Sequence, residues 1–156
     1  MRKLIAAVCA IGASALLSSS AMADTVTRTP SPVPSPFLFI GLCPFPVLAQ
    51  AITNNEFRTS FVNQNGALVK QIVTGALVVT FTNLSNGKSI TQNISGPGII
   101  TFNPDGSVTI DILGREAGFP GDTIGAGRTV IQISPTGVPT VASQVGNFTS
   151  LCSLLA

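Results

Sequence analysis

The chain contains no histidine, no tryptophan and no tyrosine. Without histidine there is no Ser–His–Asp triad, no imidazole acid or base and no imidazole metal ligand. Charge is scarce as well, at 9% of residues. No cluster of Lys and Arg is present to neutralise a phosphate backbone, which excludes nucleic acid as a partner. No D-x-D-x-D-G pattern gathers oxygen ligands for calcium. Cysteine numbers three in all. Thiolates alone, so few and without histidine, leave a zinc shell incomplete. The composition therefore implies no metal and no cofactor.

The N-terminus reads as a secretory signal over residues 1–23. Arg2 and Lys3 form a basic start, Leu4 to Leu17 an apolar stretch, and Ala21-Met22-Ala23 an A-x-A cleavage site. The apolar stretch is short for a membrane span, and no second run of ~20 apolar residues follows. The expected mature chain, Asp24 to Ala156, is secreted and not integral to a membrane. Its six acidic residues balance the six basic ones that remain after Arg2 and Lys3 leave.

Cleavage removes Cys9 and leaves Cys43 and Cys152, near the two ends of the mature chain. In an exported protein such a pair most simply forms one disulfide. Residues 24–36, DTVTRTPSPVPSP, hold four prolines and are expected to form a flexible tail or spacer. Residues 37–156 are then the folded domain, beginning with an apolar strap, FLFIGLCPFPV, over 37–47.

From residue 47 the pattern is β. Apolar and polar residues alternate in short runs, as in Phe57 to Val62, Ser89 to Ser95, Ser107 to Leu113 and Arg128 to Ser134. Turn chemistry separates them: Asn65-Gly66, Asn86-Gly87, Gly96-Pro97-Gly98, Asn103-Pro104-Asp105-Gly106 and Pro135-Thr136-Gly137. Gly75 interrupts a run too long for one strand and predicts a bulge or bend. Only SLCSLLA at the end suits a turn of helix. The expectation is a single all-β antiparallel meander of about eight strands. A closed or nearly closed barrel hides the edges, and the disulfide would bring first and last strands together; a β-sandwich is the alternative.

Cys43-Pro44-Phe45-Pro46, the stretch Thr82 to Gly96, the hairpin Asn103 to Val108 and Cys152 together resemble a group of small secreted all-β proteins of actinobacteria. The resemblance covers most of 43–152 and rests mainly on turn residues. It implies a compartment and a fold, and brings no catalytic residue with it.

The segment GREAGFPGDTIGAGR, 114–128, breaks the short-turn rhythm and concentrates Arg115, Glu116, Asp122 and Arg128, with Phe119 as its one aromatic residue. Long irregular loops on small β scaffolds carry function. Arg115, Glu116, Phe119, Asp122 and Arg128 are therefore the candidate ligand- or partner-binding residues. The competing reading is a plain connection whose charges pair at the surface. Asp111, alternating with isoleucines, is a surface carboxylate or a polar group inside a barrel. Two functions remain. One is a non-catalytic structural or interaction module whose partner is a protein or an envelope component. The other is a small barrel that holds an apolar small molecule in its interior, with an enzyme acting on that molecule behind it. Phe57, Phe61, Phe81 and Phe102 discriminate them: an interior filled by phenylalanine leaves no cavity.

Overall fold

The computed structural model describes residues 25–117 and 121–156. The signal segment, its cut site and Phe119 lie outside the described residues. In chain order the elements are β1 (Thr25–Pro30), β2 (Phe37–Phe39), β3 (Val47–Asn54), β4 (Phe57–Val62), β5 (Leu68–Thr74), β6 (Leu77–Asn83), β7 (Ser89–Asn93), β8 (Gly98–Phe102), β9 (Val108–Ala117), β10 (Thr123–Ile133), β11 (Pro139–Ser150) and the short helix α1 (Leu151–Leu155). No helix among the described residues is long and apolar enough to cross a membrane.

The protein is all-β, in two antiparallel sheets. One has seven strands in the order β1-β4-β5-β8-β9-β10-β11, the other four in the order β2-β3-β6-β7. The arrangement is sandwich-like, and the barrel expected from the meander is not formed. Closure needs the first and last strands to pair. Instead β1 and β11 are opposite edges of the large sheet, and both are exposed along most of their length. The disulfide joins Cys43, between β2 and β3, to Cys152 in α1, with Cα atoms 5.4 Å apart. It ties the small sheet to the helix and not one edge to the other.

Turn residues explain most neighbours. Asn65-Gly66, Asn86-Gly87, the N-P-D-G stretch and Pro135-Thr136-Gly137 each close a hairpin, β4–β5, β6–β7, β8–β9 and β10–β11. In the third, Asp105 Oδ1 accepts from the Ser107 hydroxyl at 2.6 Å and the Ser107 amide at 2.9 Å. These bonds hold its carboxyl below the usual value. Gly96-Pro97-Gly98 behaves differently: β7 and β8 belong to different sheets, so this turn carries the chain across. Gly75 does the same between β5 and β6. Its φ is +145°, and a Cβ there would stand 2.6 Å from the Asn55 carbonyl oxygen.

Part of the expected tail belongs to the sheet. Thr25–Pro30 pairs with β4 in register from Thr25↔Val62 to Pro30↔Phe57. Threonine and valine suit a strand, and an edge strand tolerates the terminal proline. Residues beyond it are tied down too: the Val33 amide donates to Asn54 Oδ1 at 3.1 Å, and the Ala51 amide to Ser35 Oγ at 2.8 Å.

The main core lies on one face of the small sheet. Val47 and Ala49 of β3 and Leu77, Val79 and Phe81 of β6 point inward at alternate positions. They meet Leu151 and Leu155 of α1, both fully buried. Each such leucine contributes about 1.5–3 kcal/mol. From the large sheet only Ile124 and Ala117 join this cluster. The helix is five residues long and cannot stand alone. Ser150 caps its start, accepting from the Ser153 amide at 3.0 Å. At its other end Asn83, itself buried, donates to the Leu155 carbonyl at 3.0 Å, and Lys88 Nζ to that of Ala156 at 2.7 Å. Of the four phenylalanines that discriminate the two functions, Phe81 is buried and Phe102 half-buried, while Phe57 and Phe61 lie under Arg28 (4.3 Å) and Lys70 (5.9 Å).

Glu56, at the crossing from β3 to β4, is 8% exposed. Burial pushes its carboxyl above the usual 4.5. A carboxyl whose folded pKa is raised destabilises the fold when ionised. That penalty is absent below the ordinary value and grows as pH rises through the folded one. Glu56→Gln should therefore raise the melting temperature at pH 7 and lose that advantage in acid below 4.5. A melting series against pH in which the two proteins differ by a constant amount would contradict this.

Candidate functional site

The described parts of 114–128 are paired strands rather than a long loop. β9 runs through Ala117 and β10 begins at Thr123, in register from Ile124↔Ala117 onward. Two glycines of the segment serve close approach between strands. A Cβ on Gly125 would stand 2.1 Å from the Asn147 carbonyl oxygen, and one on Gly127 2.1 Å from that of Val145. Only glycine lets β10 and β11 coil this tightly.

The paired strands disperse the candidate charges. Arg128 makes a two-pronged pair with Asp111, Nε to Oδ1 at 2.9 Å and Nη2 to Oδ2 at 2.8 Å. The bond from Arg128 is the main cause that holds the Asp111 carboxyl below its usual value. Asp111 is thus a surface carboxylate. Asp122 fixes the start of α1: its side chain accepts from Ser150 Oγ, and its carbonyl accepts from the Leu151 amide at 2.5 Å. Glu116 is 9% exposed. It accepts from Thr129 Oγ1, and from Gln144 Nε2 at 3.4 Å, while its Oε2 is buried with no partner among the described residues. Both roles are structural.

Arg115 is different. It is exposed, and among the described residues no carboxylate pairs with it. Cross-strand register aligns Arg115 with Ala126 and Ala126 with Asn147. The three side chains therefore share one face, with Glu116 on the other. Over that face lies an open groove of about 530 Å³. Gln92, Asn93 and Ile94, at the end of β7, form the facing wall. Ile124, Thr149 and Leu154 line it further along, and Glu116 borders it with its carboxylate engaged elsewhere. The groove thus offers one guanidinium, several amides and an apolar end. Asn93, Gln92 and Asn147 were missed as site residues because they come from separate strands that only the fold brings together. Asn93 and Asn147 carry N-x-S/T triplets in the sequence, but that signal concerns glycosylation and says nothing about a groove.

A second cavity, of about 330 Å³, lies on the inner face of the small sheet, beside the strap that supplies β2. Val33, Phe37, Phe39, Ala51, Val79 and Phe81 line it. Phe37 and Phe39 meet edge to face at 4.8 Å.

No family model matches the sequence, and neither a curated protein nor a solved structure matches it.

Proposed function

We propose that the mature chain is a secreted, non-catalytic binding module that recognises a component of the envelope or extracellular space through the Arg115 groove. The observation that carries this reading is Arg115, without a carboxylate partner among the described residues, set beside amide side chains over an open groove. Amides and a guanidinium recognise polar groups by donating and accepting hydrogen bonds. Glu116, the carboxylate among the groove's lining residues, is turned to the opposite face and held by Thr129. The secretory start, the disulfide and the resemblance to small secreted all-β proteins support the compartment.

Arg115→Ala should leave stability within about 0.5 kcal/mol, as exposed substitutions do. It should weaken retention of the protein on an envelope fraction about tenfold or more, the worth of a charge-assisted hydrogen bond. Arg128→Ala should not, because Arg128 is spent on Asp111. Equal retention by all three proteins would overturn the assignment.

A second reading, an apolar small molecule, is favoured by the cavity beside the strap, whose walls are almost wholly apolar. It replaces the barrel interior as the place for such a ligand. A ligand whose binding survives Arg115→Ala and is lost when Ala51→Leu fills that cavity belongs there.

A further inference from the structure

The large sheet ends in an edge with little of the usual protection: one register shift, at Ala142, interrupts its pairing with β10, and Ser143 to Ser150 runs on unbroken beyond it. β11 is twelve residues long, and Pro139 to Asn147 are exposed without interruption. Proteins blunt such edges with lysines, internal prolines or covering loops. Here Thr140 to Ser150 contains no proline and no charged residue. Its exposed apolar side chains include Val141, at 45%, and Val145, at 71%. The opposite edge is unlike it: β1 is six residues, ends in Pro30 and carries Arg28.

The hydrogen-bond phase of β11 can be read from its end. The Leu151 amide donates to Asp122, and the register from Thr123↔Ser150 to Val130↔Ser143 is unbroken. In an antiparallel ladder bonded pairs alternate. The odd-numbered residues from Ser143 to Thr149 therefore bond to β10, and Gln144, Gly146 and Phe148 present their N–H and C=O groups to the open side.

We propose that this edge pairs with β11 of a second copy of the chain, antiparallel, about a two-fold axis at Val145. That register sets Gln144 opposite Gly146 of the other copy, both with outward bonding groups. It sets Val145, the most exposed apolar residue of the strand, against its own image. An uncharged strand meets its two-fold copy without opposing like charges. The contact is isologous, so it closes as a dimer and does not propagate. The axis is perpendicular to the sheet, so Arg115, Ala126 and Asn147 of both copies stay on one face of a continuous sheet. The two grooves then open side by side, which suits a repetitive partner.

Sedimentation of the mature protein should show a dimer at high micromolar concentration. In a non-hydrogen-bonded pair the Cα atoms lie about 4.5 Å apart, within reach of a disulfide. Val145→Cys should therefore cross-link two chains under mild oxidation, whereas Val141→Cys and Val26→Cys should not. Val145→Glu faces Arg128 within its own chain, which spares the fold, but opposes its own copy across the axis. It should give a folded monomer, with unchanged circular dichroism. A wild-type monomer at that concentration, a dimer that survives Val145→Glu, cross-linking through Val26→Cys, or growth into fibres would each overturn the proposal. So would pairing of this edge with a foreign peptide in place of a second copy.

Discussion

Replacing Cys43 and Cys152 by serine should cost the protein about 2–5 kcal/mol, and the upper part of that range is expected. The bridge spans a sequence separation of 109 residues. For a loop near that size the chain-entropy estimate is about 4.7 kcal/mol. The native side of the balance points the same way. Cys43 is buried in the main core, and Cys152 sits in a helix of one turn whose neighbours Leu151 and Leu155 are fully buried. Without the bridge that helix keeps its caps but loses the covalent tie to the small sheet. Urea unfolding should show a lower midpoint, with β circular dichroism retained before the transition. Native protein should show no free thiol until it is unfolded and reduced. Stability unchanged within about 0.5 kcal/mol would mean that the bridge constrains nothing that the fold does not already hold.

Gly127→Ala should destabilise by the upper end of the overpacking range, about 1–3 kcal/mol, or more. The added methyl would stand 2.1 Å from the Val145 carbonyl oxygen and 2.8 Å from Gly146 Cα. Both are backbone atoms, so no side chain can rotate away. Gly146 stands in the reciprocal position, where a Cβ would meet Ala126 oxygen at 2.4 Å. Relief requires β10 and β11 to separate along the coiled stretch that borders the groove. Gly98→Ala is the control, since its methyl would meet only Val73 Cβ at 4.0 Å and its backbone is not left-handed. Hydrogen exchange should rise across Thr123–Ile133 and Pro139–Ser150 in the first variant and not in the second. Equal costs for the two would remove the close approach.

Local chemistry made the strands, hairpins and terminal helix legible. Asn-Gly, Asn-Pro-Asp-Gly and Pro-Thr-Gly each specify a tight reversal, and each produced one. The division into two sheets was not legible, because it rests on pairing across distance. Val47 lies opposite Asn83, and nothing near either residue names the other. Gly96-Pro97-Gly98 has the same composition whether it closes a hairpin or crosses between sheets. A glycine likewise reads alike when it frees a loop and when it lets two strands touch, which is why 114–128 read as a long irregular loop. Thr25–Pro30 was hidden by its proline-rich neighbours. At the site, charge density pointed to Arg115. It did not separate Arg115 from Glu116, Asp122 and Arg128, whose partners Thr129, Ser150 and Asp111 come from other strands.

Amide chemical-shift mapping of the isotope-labelled mature protein against soluble polysaccharide and protein fractions of the envelope tests the proposed function most directly. Binding through the groove predicts shifts at Gln92, Asn93, Arg115, Ala126 and Asn147 that saturate together and vanish in Arg115→Ala. Shifts confined to the strap around Phe37 and Phe39, or a full titration that leaves those five residues unmoved, would contradict it.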